Sequence, residues 1–386
     1  WGLFSYLYRM ESTDVCILGA GPGGGTAALH LAKAGVRCVL LEKAVFPRDK
    51  TCGDALSGKV MSELRRIDEN LPAALPHRTD ALPSRGIHFV APNEQWLSVP
   101  FRTNSAVFAQ NTDQQPVAVG DESAPDPLPA PGYLMRRLDF DNFLAETVRR
   151  TPLVDFREGD AVTEHIRVAE GWHVTTASGK TLHAKLLIVA NGAQSAFTRH
   201  VAGIDPEPKH FCAGLRAYYE GVQGLDANGY VELHFLEPFL PGYFWIFPLP
   251  NGAANVGVGM RSDVVSRQRV NLKTTMLDLI GTHPKLRERF ANARLVGDIR
   301  GYGLPLGSRR RPLSGNGYLL VGDAAHLIDP FTGEGISNAM ISGRWAAHQA
   351  VQGLRANDFS ARFLADYDRA VYRRLGNELR ISTRLQ

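Results

Sequence analysis

Apolar residues near the start of the chain follow a pattern that predicts a strand, a tight turn, a helix and a second strand. Residues 13–43 read TDVCILGAGPGGGTAALHLAKAGVRCVLLEK, in which a β-branched and apolar run leads into glycines. An Ala/Leu-rich stretch follows, ends at Gly35 and gives way to the apolar run VRCVLLE. Such runs are typical of buried strands on either side of a helix. The pattern predicts a βαβ unit and hence an α/β fold.

Further along the chain, stretches with helical spacing alternate with strand-like stretches. Helices are predicted from about Asp54 and across residues 136–150 and 272–291, and the Arg-rich end of the chain also has helical spacing. Strands are predicted within residues 86–108, 154–190, 211–260 and 317–326. A loop is predicted where three glycines lie close to Pro305 without a helical pattern, at Gly301, Gly303 and Gly307.

The composition fits a chain with more than one folded unit. Its 386 residues are 44% hydrophobic and 21% charged, which is enough for a full core and more than one compact layer usually holds. The net charge of +4 is mildly basic, but the sequence has neither a dense Lys/Arg face nor a recognisable nucleic-acid module. We therefore expect two domains and no nucleic-acid partner.

Cysteine and histidine spacing predicts neither a metal site nor a disulfide framework. The four cysteines form no C-x-x-C pair, and the twelve histidines form no H-E-x-x-H motif. A reducing cytosol fits such free thiols, and no apolar run approaches the roughly 18 residues that span a bilayer. We expect a cytoplasmic protein, with membrane association at the cytoplasmic face as an alternative. Because Met10 directly precedes ESTDVCILG, we expect residues 1–9 to lie upstream of the natural start.

Gly19, Gly21 and Gly24 form the pattern G-x-G-x-x-G between the first predicted strand and the helix. In a dinucleotide-binding turn the first glycine permits the turn, the second admits the pyrophosphate and the third lets helix and strand pack closely. Glu42 ends the second strand, where a carboxylate can accept a hydrogen bond from a ribose hydroxyl. The alternative is a merely tight βα turn, but the strand, the helix and Glu42 together favour dinucleotide binding.

A second glycine-rich turn, VGDAAHLIDPFTGEGISNAM, follows another buried strand far along the chain. Asp323 can accept a hydrogen bond from a sugar-alcohol chain, and the helix that begins near Gly335 can face a ring carbonyl. A flavin has both features, because it carries a ribityl chain and a pyrimidine ring whose anionic reduced form a helix N-terminus stabilises. We predict FAD as the cofactor, with its diphosphate at the first turn and its isoalloxazine ring at the second.

Four motifs together resemble FAD-dependent oxidoreductases of the hydroxybenzoate-hydroxylase fold over nearly the whole chain: GAGPGG, RRLDFDNFL, ANGAQSAFTR and LLVGDAAHLIDPFTGEGI. Three further stretches resemble the geranylgeranyl reductase family: FPRDKTCGDALS, YFWIFPLPNGAANVGVG and GYGLPLG. In that family, FAD reduced by an external donor saturates isolated double bonds of prenyl chains. Many relatives carry Ala-Asp-Gly where this chain has Ala190, Asn191 and Gly192, and the neutral Asn191 disfavours direct use of NAD(P)H.

The resemblance implies a fold and a domain division. We expect a Rossmann-type FAD-binding domain interwoven with a β-rich (α+β) substrate domain. The FAD-binding domain is assigned to residues 10–84, 132–210 and 294–353. The substrate domain is assigned to residues 85–131 and 211–293, and a C-terminal helical segment to residues 354–386.

The resemblance also implies roles for individual residues. It places Cys52 and Gly53 beside the reactive ring, where they are the candidate catalytic positions. Prenyl substrate is expected along Tyr243, Trp245 and Phe247. Cofactor contacts are expected from Gly19, Gly21, Gly24, Glu42, Lys43, Arg137, Gly192, Asp323, Gly333, Gly335 and Ile336.

The period of two along a strand places Tyr243, Trp245 and Phe247 on one face of YFWIFPLP, with Phe244 and Ile246 opposite. Three aromatic side chains on one face suit the wall of an apolar binding site. The alternative is an ordinary sheet core, because aromatic residues favour strands.

Cys52 lies just before a predicted helix, and a helix N-terminus can lower the pKa of a thiol. Cys52 is therefore a candidate to relay the proton that completes the saturation of a double bond. Two alternatives remain, a small buried residue without a chemical role and ordered water as the proton source.

We expect an FAD-dependent prenyl reductase that acts on an isoprenoid lipid or a prenyl diphosphate, with electrons from NAD(P)H or a reduced carrier. One alternative is a flavin monooxygenase or halogenase on the same fold, since fold does not fix function. A second is a quinone-linked flavin reductase, although the sequence lacks the expected iron–sulfur cysteines. A third is a prenyl-lipid carrier without redox activity.

Overall fold

The structure, a computed structural model, describes residues 10–101 and 130–386. The expected start of the natural chain at Met10 concerns residues 1–9, which lie outside the described residues. Part of the predicted segment 85–131 also lies outside them.

The helices of the described residues are α1 (Pro22–Lys33), α2 (Gly58–Ile67), α3 (Asn70–Ala74), α4 (Arg137–Arg149), α5 (Ala196–His200), α6 (Ser262–Gln268), α7 (Leu272–Thr282), α8 (Pro284–Arg289), α9 (Ile336–Ala356) and α10 (Ala361–Leu385). The first strands are β1 (Glu11–Leu18), β2 (Cys38–Glu42), β3 (Ala55–Leu56), β4 (Ala81–Ser84), β5 (Gly86–Val90), β6 (Trp96–Pro100), β7 (Gly132–Met135), β8 (Val154–Glu158) and β9 (Val162–Val168). The later strands are β10 (Gly171–Thr176), β11 (Thr181–Val189), β12 (Phe211–Glu220), β13 (Val231–His234), β14 (Tyr243–Pro248), β15 (Ala253–Arg261), β16 (Arg294–Pro305), β17 (Ser314–Gly315) and β18 (Tyr318–Leu320).

The first sheet confirms the predicted βαβ unit and Rossmann-type architecture. Its central strands run in the order β18-β11-β1-β2-β8, and each of these neighbours pairs in parallel. Strand β2 is buried along its whole length, as expected of a parallel strand with both faces covered. Helices α1 and α9 cross closely, because a Cβ on Gly343 would lie 2.2 Å from the carbonyl oxygen of Gly23. Only glycine at position 343 permits that approach.

The second sheet forms the β-rich domain, with strand order β16-β12-β15-β14-β13-β5-β6. Phe244 and Ile246 of β14 belong to one buried core cluster together with Met276 and Leu279 of α7. A third, three-stranded sheet of order β3-β7-β4 lies between β2 and β8 in the chain.

Three sequence expectations are wrong in detail. Helix α2 begins at Gly58, and not at about Asp54, whose φ of +69° is incompatible with a right-handed helix. Gly301 and Gly303 lie in strand β16 instead of a loop. Because β16 pairs with β12 in the seven-stranded sheet, residues 294–305 group with the β-rich domain and not with the FAD-binding domain.

None of the helices within the two described ranges combines the length and the apolar character that a membrane span requires.

Candidate active site

The first glycine turn is tightly packed at Gly19 and Gly24 and open at Gly21. Gly19 adopts φ +96°, and a Cβ on Gly24 would lie 1.9 Å from the carbonyl oxygen of Gly19. Above Gly21 the space is open, because a Cβ there would meet only Nη2 of Arg48, at 3.8 Å. The turn thus forms a close strand–helix crossing with one exposed glycine backbone, the arrangement that admits a pyrophosphate.

Glu42 lies at the carboxyl end of β2, where its carboxylate joins two turns. Oε2 accepts a hydrogen bond of 2.9 Å from the backbone N–H of Ala20, and Oε1 accepts one of 3.1 Å from that of Ala44. A carboxylate has about four lone-pair sites, so these bonds leave capacity for a ribose hydroxyl. Lys43 follows Glu42 and is exposed.

Arg137 begins α4 and lies in a buried ion cluster. Its Nε and Nη2 donate to the two carboxylate oxygens of Asp141 at 2.6 and 2.7 Å, and Arg48 Nη1 donates to the same carboxylate at 2.6 Å. Burial raises the pKa of Asp141, but the two guanidinium groups outweigh burial and hold that pKa below its usual range. The cluster ties the loop that carries Arg48 to the start of α4, and the predicted cofactor contact of Arg137 stays a prediction.

The second glycine turn connects β18 to α9. Asp323 accepts from Nζ of Lys50 at 3.4 Å, and a Cβ on Gly335 would lie 3.5 Å from Oδ1 of Asp323. The structure therefore brings Asp323 and the N-terminus of α9 together, as the flavin hypothesis requires. Gly333 adopts φ +72°, and a Cβ there would lie 3.0 Å from the hydroxyl of Tyr243.

The two turns lie at the same edge of the parallel sheet. Strands β1, β11 and β18 run in the same direction, so their carboxyl ends meet at one edge. Helix α1 begins at that edge with Pro22 and helix α9 with Ile336. Gly192, just beyond β11, adopts φ +85° at the same edge. Two helix N-termini, an open glycine and a buried carboxylate suit a ligand with a diphosphate, a ribose and an anionic ring, and so fit FAD.

A cavity of about 610 Å³ joins the second turn to the β-rich sheet. Cys52 and Gly53 form part of one wall, and residues 333–336 form another. Tyr243, Trp245 and Phe247 also line the cavity. Further predicted cofactor residues are not part of its wall: Gly19, Gly21, Gly24, Glu42, Lys43, Arg137, Gly192 and Asp323.

The predicted aromatic face is present in the structure. Tyr243, Trp245 and Phe247 face the cavity, while Phe244 and Ile246 lie in the core beneath the sheet. Gly53 faces this wall closely, because a Cβ on it would lie 2.8 Å from Cε2 of Phe247. The aromatic residues are therefore a cavity wall, and the alternative of a plain sheet core does not describe them.

The thiol of Cys52 is not activated by a helix. Burial raises its pKa, although Arg137 opposes that effect. The helix that follows begins only at Gly58, so the expectation of a lowered pKa is wrong. The raised pKa keeps the thiol protonated, and a protonated thiol can donate its proton. The catalytic role of Cys52 stays a prediction.

Sequence reasoning missed a buried polar network that includes two residues of the cavity wall, Asp54 and Trp245. Asp54 Oδ2 accepts from the hydroxyl of Tyr218 at 2.7 Å and from Nδ2 of Asn255 at 2.8 Å. Asn255 also donates to the carbonyl of Cys52 at 2.7 Å and accepts from Nε1 of Trp245 at 2.9 Å. The network fixes the Cys52 loop and the Trp245 ring relative to each other. Its one sequence signal was Asn255, a polar residue within the apolar run of β15.

Comparison with known proteins agrees with this geometry. The family model "FAD binding domain" matches residues 12–213. Digeranylgeranylglycerophospholipid reductase 1 of Methanopyrus kandleri is 31% identical over 372 residues, which are 92% of this chain and 84% of that protein. Menaquinone reductase of Mycobacterium tuberculosis is 28% identical over 357 residues, which are 87% of this chain and 76% of that protein.

Among solved structures, a geranylgeranyl bacteriochlorophyll reductase-like protein of Thermoplasma acidophilum superimposes with a TM-score of 0.79 at 25% identity. The match covers 97% of this chain and 87% of that one. A flavin-dependent brominase has a TM-score of 0.72 at 23% identity, which is a likeness of fold alone. The chain thus belongs to the FAD binding domain family and, within it, to the geranylgeranyl reductase family of FAD-dependent oxidoreductases.

Proposed function

We propose that this protein is an FAD-dependent prenyl reductase that saturates isolated C=C bonds of an isoprenoid chain. The observation that carries the proposal is the cavity, in which an aromatic wall faces the N-terminus of α9 and the Cys52 loop. An enzyme that reduces an unactivated double bond needs the chain held against its cofactor in an apolar site. The names of the reductases to which the chain is similar support the same reaction.

The apolar side chains of the cavity are proposed to hold the prenyl chain. Besides the aromatic wall, the lining includes Leu215, Val231 and Leu233 of the β-rich sheet. Burial of a prenyl chain there contributes about 25 cal/mol for each Å² of apolar surface removed from water. The same side chains exclude water from the reacting carbon atoms.

Reduced FAD, when bound, supplies a hydride to one carbon of the double bond. The second carbon needs a proton, and Cys52, whose thiol pKa is raised by burial, is one of the residues that line the cavity. The proton therefore comes from Cys52 or from a water molecule beside it. Asn255 is a positioning residue, because it binds both the Cys52 carbonyl and the indole of Trp245 and does not itself line the cavity. Asp54 in turn accepts a hydrogen bond from the Asn255 amide and so holds it in place.

The electron donor is proposed to be external, either NAD(P)H or a reduced carrier. Neutral Asn191 disfavours direct reduction by NAD(P)H, so a reduced carrier is the preferred donor. A lipid substrate also implies peripheral contact with the cytoplasmic face of a membrane, where the substrate resides.

The proposal is tested by anaerobic incubation of the FAD-loaded, dithionite-reduced protein with geranylgeranyl diphosphate, followed by mass spectrometry of the product. We expect a gain of two hydrogen atoms for each double bond reduced. Trp245→Phe is expected to slow the reaction. Trp96→Phe is the matched control, because Trp96 is 67% exposed on β6 and does not line the cavity.

The same anaerobic assay, run also with a prenylated quinone, and the flavin content of the purified protein test the alternatives. If the prenyl chain gains no hydrogen without oxygen but incorporates oxygen when air is admitted, the protein is a monooxygenase. If a quinone ring is reduced while prenyl double bonds persist, it is a quinone-linked reductase. If the purified protein binds prenyl lipid but no flavin, it is a lipid carrier.

A further inference from the structure

Helix α10 carries a row of arginines on its exposed face. Within Ala361–Leu385, all of which the structure describes, six exposed side chains are arginines and only Asp366 is an exposed carboxylate. A helical turn takes about 3.6 residues, so five of the six arginines lie within an arc of about 60° around the helix axis. We call these five the arginine stripe: Arg362, Arg369, Arg373, Arg380 and Arg384. At about 1.5 Å per residue, the stripe is about 33 Å long.

Most of the charge of the stripe is not neutralised by neighbouring carboxylates. Asp366 forms an ion pair with Arg369. For the other four arginines of the stripe, no carboxylate within residues 10–101 and 130–386 lies within ion-pairing distance. Five arginines and one carboxylate leave a formal charge of +4 on this face, which equals the formal net charge of the whole chain. The charges of the remaining sequence therefore sum to zero, and this face carries the excess positive charge of the protein.

The flank of α10 next to the stripe borders the cavity. Arg374 and Glu378 lie on this flank and are among the residues that line the cavity. The flank also carries Ile381 and Leu385, whose side chains are 49% and 60% exposed. By the helical repeat, both apolar side chains point within about 60° of Glu378. Exposed apolar side chains thus lie on the side of the stripe that faces the cavity.

We propose that this face of α10 docks the protein on an anionic lipid bilayer. The arginine stripe binds lipid phosphates in the plane of the surface, while Ile381 and Leu385 insert between the headgroups. Each basic residue near an anionic membrane adds to the attraction, and arginine binds phosphate oxygens in a bidentate manner. The inference rests on the proposed function, since a lipid substrate is what brings the protein to a membrane, and it identifies the surface of contact.

A bilayer fits this face better than a nucleic acid does. The phosphates of a nucleic acid would neutralise the arginines but would leave Ile381 and Leu385 in water. The headgroup region of a bilayer takes up basic and apolar side chains together, as it does with amphipathic helices that lie on membranes. Docking through α10 also places the cavity, which Arg374 and Glu378 of the same helix line, beside the membrane that holds the prenyl substrate.

The test is co-sedimentation of the oxidised, FAD-loaded protein with lipid vesicles that contain no prenyl substrate. We expect binding to vesicles of phosphatidylglycerol and phosphatidylcholine, weakened by added salt, and little binding to pure phosphatidylcholine. The double variant Arg373→Gln/Arg380→Gln is expected to bind the anionic vesicles about 25-fold more weakly, because each arginine near the surface contributes a factor of about five. Arg373→Lys/Arg380→Lys keeps both charges and is expected to retain most of the binding.

A matched control removes two charges from another part of the surface. Arg267 of α6 and Arg287 of α8 are exposed arginines of the β-rich domain, and Arg267→Gln/Arg287→Gln is expected to bind anionic vesicles like the parent protein. If this control weakens binding as much as the stripe variant does, the effect is one of net charge and the inference is wrong. Equal binding of the parent protein to neutral and anionic vesicles would also overturn it. So would tighter binding to duplex DNA or to polyglutamate than to anionic vesicles.

Reduction of geranylgeranyl diphosphate in solution separates this inference from the proposed function. The stripe variant is expected to reduce the dissolved diphosphate like the parent protein, but to reduce a prenyl phospholipid in anionic vesicles more slowly. If the parent protein binds anionic vesicles but reduces no double bond, the docking surface stands and the proposed reaction fails. If it reduces the diphosphate but does not bind the vesicles, the docking surface fails and the reaction stands.

Discussion

Asp54 provides a prediction that depends on the least expected feature of the site. Its carboxylate is fully buried and accepts hydrogen bonds from the backbone N–H of Arg137, the hydroxyl of Tyr218 and the amide of Asn255. Asp54→Asn keeps the shape of the side chain but replaces one acceptor oxygen by a donor. In either orientation of the new amide, one N–H faces another N–H, which costs about 1–3 kcal/mol.

Burial destabilises the charged form of the Asp54 carboxylate, whereas the hydrogen bonds that it accepts stabilise that form. It raises the pKa of Asp54 from 3.8 to about 6, although the hydrogen bonds from Tyr218 and Asn255 oppose it. The folded protein therefore holds this proton more tightly than the unfolded chain does, so the contribution of Asp54 to stability decreases as the pH rises from about 4 to about 6. A difference of about 2 pH units is worth about 3 kcal/mol in full, of which about 2 kcal/mol falls between pH 4.5 and pH 7.5.

The assay is the melting temperature of the FAD-loaded parent and Asp54→Asn proteins between pH 4.5 and pH 7.5. Because the amide that the substitution introduces does not titrate, the variant's melting temperature is expected to rise relative to the parent's by roughly 2 °C across this range. Asp298→Asn, which removes one carboxylate from an exposed position on β16, is the control for the loss of a charge. Parallel curves for Asp54→Asn and the parent would refute the assignment of Asp54 as a buried carboxyl group with a raised pKa.

Three further substitutions test the cofactor turn and the cavity wall. Gly24→Ala is expected to yield protein without bound FAD, because its Cβ would lie 1.9 Å from the backbone oxygen of Gly19. Gly281→Ala is the control and is expected to retain FAD, because a Cβ there has no heavy atom within 4 Å. The absorbance of the flavin measures the FAD content of both variants. Cys52→Ala is expected to lower kcat by about a hundredfold with FAD content unchanged if the thiol donates the proton, and unchanged turnover would remove Cys52 from the mechanism. Gly53→Ala is expected to displace the ring of Phe247, since its Cβ would lie 2.8 Å from that ring. The displaced ring is expected to raise KM for the prenyl substrate without loss of FAD. An unchanged KM would contradict the packing described.

The features that the sequence predicted best are encoded by neighbouring residues. The glycines of the first turn, Glu42 and the alternation along β14 each depend on a local spacing, and the structure has the turn, the strand end and the aromatic face where that spacing placed them. The close crossing at Gly24 follows from the same local rule.

The features that were missed depend on partners far apart in the chain. Asp54 and Asn255 are separated by 201 positions, so nothing local identifies Asp54 as the acceptor for that amide. Gly303 was expected in a loop because Pro305 lies close to it and no helical pattern follows. In the structure it lies in β16 beside Phe211, and a Cβ on it would lie 2.4 Å from that ring. The place of β16 in the second sheet likewise depends on its pairing with β12.

The central claim is that the reduced flavin of this protein transfers its electrons directly to a prenyl double bond. The most direct measurement is anaerobic stopped-flow absorbance of the photoreduced, FAD-loaded protein mixed with geranylgeranyl diphosphate. The account predicts that the absorbance of oxidised flavin returns in a single turnover, with one double bond saturated for each flavin. A flavin that stays reduced until oxygen is admitted would contradict it.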